Sequence, residues 1–303
     1  MNNPKISIII PSYNHGKELL KCLNSIFTQT FRDFEVIVVN DGSTDGTDDI
    51  LKNYKNKEIS CLCGEIKVII QQNQGAPVAR NNGFKISKGA YLLFCDADAV
   101  LRKDALEKMV EVLDNIYIPP VDSKSMNMEI NRNSVDLLPS KRGCGDVWGC
   151  KIGYVYANHK FGKKIFKLFP FDEKKIKENN YIHTMALIRR EAFPKDGFDP
   201  NLKKFQDWDL WLTMLENGYK GVWLDEFLFT CKPREKKEKG NFLPKSSWLP
   251  GFMYKIPWKK FGIKIKAIED YKYWRDVVRI KHGLVDKINI MRRDQRYKNN
   301  ILK

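Results

Sequence analysis

A chain of 303 residues, 43% hydrophobic and 12% aromatic, can bury a full core; this excludes a disordered protein and predicts one large domain with room for an appendage. The formal net charge of +16 is uneven, because residues 232–303 hold 21 Lys and Arg against 7 Asp and Glu and leave a near-neutral body behind them. Seven scattered cysteines make no disulfide framework, and no apolar run approaches the roughly 20 residues needed to cross a bilayer.

In chain order, Ile6 to Ile10 is a first buried strand, which Pro11 is expected to stop. It is too short and has the wrong flanks for a signal peptide, so a reducing, cytoplasmic setting is expected. Residues 17–28 put Leu19, Leu20, Leu23, Ile26 and Phe27 on one helical face. Glu35 to Val39 is a second strand, ending in Asn40-Asp41-Gly42-Ser43. A short helix follows over residues 48–54, with Ile50, Leu51 and Tyr54 inward. Ile66 to Ile70 is a third strand and Ala76 to Ser87 another helix. The pairs Cys61/Cys63 and Cys144/Cys150 lack the spacing of a zinc site.

Tyr91 to Cys95 is the central strand, and it runs into Asp96-Ala97-Asp98. Side chains alternate along extended backbone, so both carboxylates should fall on one side where the strand leaves the sheet. Two such carboxylates suit a hard divalent cation that completes its shell with phosphate oxygens. A solvated Asp pair in a turn is the plainer reading of the same residues. Beyond it, Asp104 to Leu113 repeats the helical stripe. Strand–helix alternation of this kind predicts a doubly wound, mainly parallel sheet with its ligand outside the carboxyl ends of the strands.

From about residue 117 to 182 the alternation fails, and Pro- and Gly-rich loops with short strands are expected. The basic, aromatic stretch 160–177 reads as a helix or flap over the site. Order returns at Thr184 to Ile188, a strand. A helix then begins near Asp207, with Leu210, Trp211, Met214 and Leu215 as its stripe and Gly218 as its stop. A carboxylate at that N-terminus is favoured by the macrodipole alone. Val222 to Leu224 and Phe227 to Thr230 suggest a final strand.

Six of these pieces, in order, resemble a family 2 glycosyltransferase of GT-A fold. They are Ile8-Ile-Ile-Pro-Ser-Tyr-Asn14, Ser25-Ile-Phe-Thr-Gln-Thr-Phe31, Val38-Val-Asn-Asp-Gly-Ser-Thr-Asp45, Gly75-Ala-Pro-Val-Ala-Arg-Asn-Asn-Gly83, Cys95-Asp-Ala-Asp98 and Gln206-Asp-Trp-Asp-Leu-Trp-Leu212. The resemblance covers about residues 4–231, so residues 1–231 are expected to be the catalytic domain, with 117–182 as a variable acceptor side. It implies a nucleotide-diphospho-sugar donor, a UDP-sugar first of all, and an acceptor hydroxyl on a saccharide or lipid-linked saccharide. It puts the donor near Pro11, Tyr13, Asn14, Asp41, Arg80 and Asp96, with Asp41 suited to a hydrogen bond from the base. Asp98 and Asp96 match the motif that holds Mn²⁺ or Mg²⁺, Asp98 as the direct ligand. Asp207 matches the general base of an inverting transfer, with Asp209, Trp208 and His183 on the acceptor side. For His183 a core or surface role is the plainer account.

There are departures from that pattern. Asn40 stands where the commoner motif has a first Asp, and Gln206 where an acid often precedes the base. The Gln-x-x-Arg-Trp signature of processive synthases does not follow Asp207, which favours transfer of one or a few sugars over polymer synthesis. A sugar-phosphate nucleotidyltransferase would need a Gly-rich, Arg-containing loop after the first strand, and a dinucleotide-dependent dehydrogenase Gly-x-Gly-x-x-Gly; Pro11-Ser-Tyr-Asn14 is neither. A catalytically decayed donor-binding or membrane-surface scaffold is the non-enzymatic alternative, against which Asp41, Asp96, Asp98 and Asp207 all stand.

Residues 232–303 form a basic, aromatic, mostly helical extension in which Ile268, Tyr271, Trp274 and Val278 recur at helical spacing. Two readings stay open. The helix packs on the catalytic domain, or the tail docks peripherally on an anionic membrane, at the inner face, where each nearby Lys or Arg is worth roughly 1 kcal/mol. No nucleic-acid-binding module is recognisable, and no nucleic-acid partner is expected.

Overall fold

Four apolar runs make the centre of the sheet. In the computed structural model, which describes residues 3–56, 66–116, 151–232 and 266–286, they are β1 (Ile6–Ser12), β2 (Phe34–Asp41), β3 (Ile66–Gln71) and β4 (Tyr91–Phe94). They pair in parallel in the order β3-β2-β1-β4. Helices α1 (Gly16–Phe27), α2 (Thr47–Asn56) and α3 (Ala76–Ile86) join them, and α4 (Ala105–Asn115) follows. Ile6, Ile8 and Ile10 face one core with Leu23 of α1 and Met109 of α4. Ile9, Leu92 and Phe94 face the other, with Ala79 of α3. Burial on both faces is why these strands read as unbroken apolar runs rather than alternating ones. At Gly83 a Cβ would stand 2.5 Å from Ile9 Cγ2, so only glycine lets α3 lie this close to β1.

The remaining strands are β5 (Ala99–Leu101), β6 (Lys151–Phe161), β7 (Lys164–Phe166), β8 (Leu187–Arg189) and β9 (Tyr219–Cys231). They extend the sheet as β4-β8-β6-β9-β5, with β7 paired to β6. Pairing here is mixed: β4–β8, β8–β6, β6–β7 and β9–β5 are antiparallel, and β6–β9 is parallel. The expected α/β sheet is therefore doubly wound and parallel over β3-β2-β1-β4 and mixed beyond it. Helices α5 (Glu173–Glu178), α6 (Gln206–Glu216) and α7 (Lys266–Lys281) complete the described elements, with a 3₁₀ turn at Arg190–Ala192.

Several local expectations change. Pro11 lies inside β1, opposite Val39 of β2. Its missing N–H would point toward β4, whose pairing with β1 ends at Ile9, so no ladder bond is lost. Leu20 is exposed, and its place on the buried face of α1 goes to Cys22. Asp96-Ala97-Asp98 is a turn between β4 and β5 rather than an extension of the strand. Residues 151–161, expected to be loops and short strands, are a long strand in mid-sheet. The final strand is continuous through the gap left between its two predicted pieces. Residues 117–150, the Cys61/Cys63 and Cys144/Cys150 pairs, and most of the basic extension lie outside the described residues, and Tyr54 is described only as a position in α2.

The order of the strands fixes where a ligand can sit. The chain lays down β1, β2 and β3 on one side, then returns to place β4 on the other side of β1. The crevice at that reversal lies at the carboxyl ends of β1 and β4, where residues 12–16 and 95–98 leave the sheet.

Candidate active site

Arg80, on α3 and 7% exposed, reaches into this crevice. Its Nη2 donates to Asp96 Oδ1 at 2.9 Å and its Nη1 to Gln206 Oε1 at 3.1 Å. The guanidinium also lies over the Phe198 ring, 5.2 Å from its centroid. Its Nε is buried and has no hydrogen-bond partner among the described residues.

Asp96 sits between that guanidinium and His183, whose Nε2 is 3.8 Å from Asp96 Oδ2. Burial opposes ionisation of Asp96, but the charges of Arg80, His183 and His15 outweigh it and hold the carboxyl below the ordinary carboxylate value. His183 Nδ1 accepts the Met185 amide at 3.2 Å. A neutral His183 therefore carries its proton on Nε2, facing Asp96. Asp98 is half-buried in the same turn, and its carbonyl accepts the Lys232 amide at 3.2 Å. Burial and the charges of Asp96 and Asp98 together push the nearby Cys231 thiol far up, which puts both carboxylates beside the end of β9.

Asp207 occupies the first turn of α6, one residue past the Gln206 that Arg80 grips. Its Oδ1 accepts the Trp208 amide at 2.9 Å, and Asn180 also hydrogen-bonds its carboxyl. Burial raises its pKa above the ordinary aspartate value despite the opposing charges of His183 and Arg80. His183 and Arg80 thus act on both Asp96 and Asp207, so two acids far apart in the chain share one cleft.

Asp41 closes the neighbouring loop. Its Oδ1 accepts from Gln71 Nε2 and the Gln74 amide, and its Oδ2 from the Gly75 amide, all at 2.8 Å. A carboxylate has about four acceptor sites, so one on Oδ2 remains for a ligand N–H. Asn14, in the left-handed region at φ 54°, binds Ser43 Oγ through its amide at 3.0 Å and accepts the Thr44 amide at 2.7 Å. Its side chain braces the loop after β2. Tyr13 is 44% exposed beside it, and Pro11 is half-buried at the end of β1.

Two expected acceptor-side residues are placed otherwise. Trp208 is fully buried, its Nε1 donating to the Ile176 carbonyl at 2.5 Å, and has no surface to offer an acceptor. Asp209 is 3% exposed and is held by Lys281 and His282 at the end of α7. Residues two apart on a helix face nearly opposite ways, which is why Asp209 cannot share the surroundings of Asp207. Conversely, His159 of β6 was missed. Its ring is stacked between Phe166 and Phe229, with centroids at 4.7 and 5.2 Å, and lies 5.0 Å from His183. Burial first, and His183 second, push its pKa down to about 3, so it is neutral.

No group of three or more His, Cys, Asp or Glu side chains among the described residues is arranged to enclose a metal. Asp96 and Asp98 alone fit a hard cation of the kind that takes one or two carboxylates from the protein and the rest of its shell from phosphate and water. Among the described residues no helix is long and apolar enough to cross a membrane.

The sequence profile of glycosyl transferase family 2 matches residues 7–197. Among curated proteins the chain is similar to the uncharacterized glycosyltransferase MJ1057 of Methanocaldococcus jannaschii, at 26% identity over 86% of this chain and 81% of that one. It is 35% identical to the uncharacterized glycosyltransferase EpsJ of Bacillus subtilis over 88% of this chain and 71% of that one. Among solved structures, S. aureus TarS 1-349 in complex with UDP-GlcNAc superposes with a TM-score of 0.55 at 19% identity, over 92% of this chain and 71% of that one. The mannosyltransferase PcManGT from Pyrobaculum calidifontis, in complex with GDP-Man and Mn²⁺, gives 0.51 at 18% identity, over 78% and 59%. In its match to the TarS fragment with UDP the chain spans 60% of that fragment's length. The structural likenesses carry the GT-A fold, and the profile, matching well over half of the chain, carries the family: this protein belongs to glycosyl transferase family 2 and is a glycosyltransferase.

Proposed function

We propose that the enzyme moves a sugar from a nucleotide-diphospho-sugar, a UDP-sugar first of all, to a hydroxyl of a saccharide or lipid-linked saccharide, with inversion at the anomeric carbon. The observation that carries this reading is the Arg80 guanidinium, which ties Asp96 to the residue preceding Asp207 and so holds a leaving-group side and a base side in one crevice.

The steps follow from charge. The acceptor oxygen forms a bond to the anomeric carbon while the bond from that carbon to the diphosphate oxygen breaks, and the electron pair leaves with the diphosphate. Asp207 takes the acceptor's proton. Its raised pKa makes it a stronger base than an ordinary aspartate, which favours proton transfer near neutral pH. Arg80 holds Asp96 ionised and offers its unpaired Nε–H toward negative charge. Asp96 and Asp98 would hold Mn²⁺ or Mg²⁺, which supplies Lewis-acid neutralisation of the departing diphosphate. The remaining acceptor site on Asp41 suits an N–H of the base, and exposed Tyr13 suits its ring face. The similar folds of TarS, in complex with UDP-GlcNAc, and of PcManGT, in complex with GDP-Man and Mn²⁺, support this donor class and cation.

A lipid-linked acceptor would also give the surplus positive charge of residues 232–303 a partner, the anionic face of a membrane. In α7, however, Ile268 and Val278 are buried, Val278 in the same core cluster as Trp208 and Trp211, so such docking would fall to the lysines and arginines rather than to this apolar stripe. The test is release of nucleotide from UDP- and GDP-sugars with Mn²⁺. Asp207→Asn and Asp98→Ala should each lose turnover by about a hundredfold or more. Full turnover by either variant would overturn the role given to that residue.

A further inference from the structure

α7 meets the start of α6 in two places. At the first, the Tyr271 ring stands edge-on to Phe205, with centroids 5.0 Å apart and planes at 74°. Phe205 has φ 61°, a left-handed conformation that a bulky residue keeps only where its surroundings hold it. Its carbonyl accepts the Asp209 amide at 2.9 Å, closing the first turn of α6, and no side chain caps that helix end. At the second, both oxygens of buried Asp209 are occupied: Lys281 Nζ is 3.0 Å from Oδ2 and His282 Nε2 is 2.9 Å from Oδ1. Lys281 also reaches Asp199 Oδ2 at 2.8 Å, and His282 Nδ1 lies 2.7 Å from Glu216 Oε1 at the far end of α6. The His282 side chain is only 3% exposed.

A buried ion pair anywhere in a protein can serve stability alone. This one is placed where the base-bearing helix has no cap of its own and begins on a strained residue, and it grips the side chain two positions after Asp207. We propose that Lys281 and His282, acting through Asp209, are positioning residues that hold the first turn of α6 and thereby aim Asp207 at the cleft. The proposal rests on Asp207 being the general base. It makes the end of α7 part of the catalytic apparatus, so a chain cut at residue 231 lacks the clamp that aims its base.

The test uses the full chain and the variants His282→Gln, Lys281→Met and Lys281→Arg, with Leu113→Ala, a core residue of α4, as a control for lost stability. Nucleotide release from UDP-GlcNAc and GDP-mannose with Mn²⁺ gives kcat and KM, and hydrogen exchange over 205–212 reads the first turn of α6 without any substrate. His282→Gln and Lys281→Met should lower kcat about tenfold or more with KM for the donor within about twofold. They should also speed exchange over 205–212 while leaving β1 and β2 as in wild type. Lys281→Arg, which keeps charge and reach, should retain turnover. Unchanged exchange over 205–212, or a kcat loss no greater than that of Leu113→Ala, overturns the proposal. Wild-type turnover by Asp207→Asn overturns the base assignment and with it the catalytic part of this proposal, while the exchange result still reports whether α7 holds α6.

Discussion

Arg80 and Gln206, 126 positions apart in the chain, meet at 3.1 Å through Nη1 and Oε1, while the other arm of the same guanidinium holds Asp96. One side chain on α3 thereby sets the distance between the acidic turn after β4 and the first turn of α6. A lysine in its place would have a single point of charge and could not serve both partners. Arg80→Lys should therefore lose one charge-assisted hydrogen bond, worth about 1.5–3 kcal/mol, and lower kcat/KM on the order of 10- to 100-fold. Steady-state kinetics with any turned-over donor checks it. A variant that matches wild type would mean the fork geometry is unimportant.

The raised pKa of Asp207 predicts opposite effects on rate and stability. As a base it must be ionised, so the acidic limb of the kcat/KM profile should lie above the ordinary carboxylate range. In the native state, burial disfavours that ionised form. A folded pKa above the unfolded one gives a stability contribution that is whole below the unfolded pKa and is lost as pH rises through the folded one. At pH 7 the charge is thus a liability, and Asp207→Asn should abolish turnover while raising Tm. Thermal melts at pH 7 and at pH 4 check the sign, because the gain should shrink at the lower pH.

How far the site could be read from the residues depended on whether local pattern or tertiary partner decides a side chain's fate. The strands β1, β2 and β4 were legible because burial on both faces writes an apolar run. Residues 151–161 were not, since Gly153, Tyr154, Tyr156, Asn158 and His159 are buried there among long-range partners that no local period announces. His159 went unread for that reason: its place between Phe166 and Phe229 exists only once β7 and β9 flank β6. The misplacement of Trp208 and Asp209 has a simpler cause. Both stand next to a candidate base in sequence, but helical geometry turns them into the core and toward α7.

Cation and nucleotide should bind as a unit if Asp98 and Asp96 supply only part of a metal's shell. Mn²⁺ alone should then stabilise little, and Mn²⁺ with UDP should raise Tm well beyond UDP alone. At a hundredfold over Kd, binding is worth about 2.7 kcal/mol, or roughly 4 °C in a chain of this size. Asp98→Ala should retain the shift with UDP alone and lose the increment due to Mn²⁺. A variant with the full increment would exclude Asp98 from the cation's shell.

The clamp at the end of α7 has its own dependence on pH, separate from turnover. His282 faces Asp209 and Glu216 of α6, with Lys281 beside it and Asp199 behind that lysine. Burial opposes its charge, but the bonds to Asp209 and Glu216 prevail and raise its pKa above the ordinary histidine value. For a histidine raised on folding, the added stability is complete below about pH 6.5 and fades as pH climbs through the folded pKa. His282→Gln should therefore lose about 1–3 kcal/mol at pH 6, the worth of a hydrogen bond to a charged group. The gap from wild type should be narrower at pH 9 than at pH 6, because the imidazolium's share of the stability fades as pH rises. Urea unfolding of the two proteins at these pH values measures it. An equal gap at both would show that His282 holds Asp209 as a neutral ring, by shape and one hydrogen bond rather than by charge.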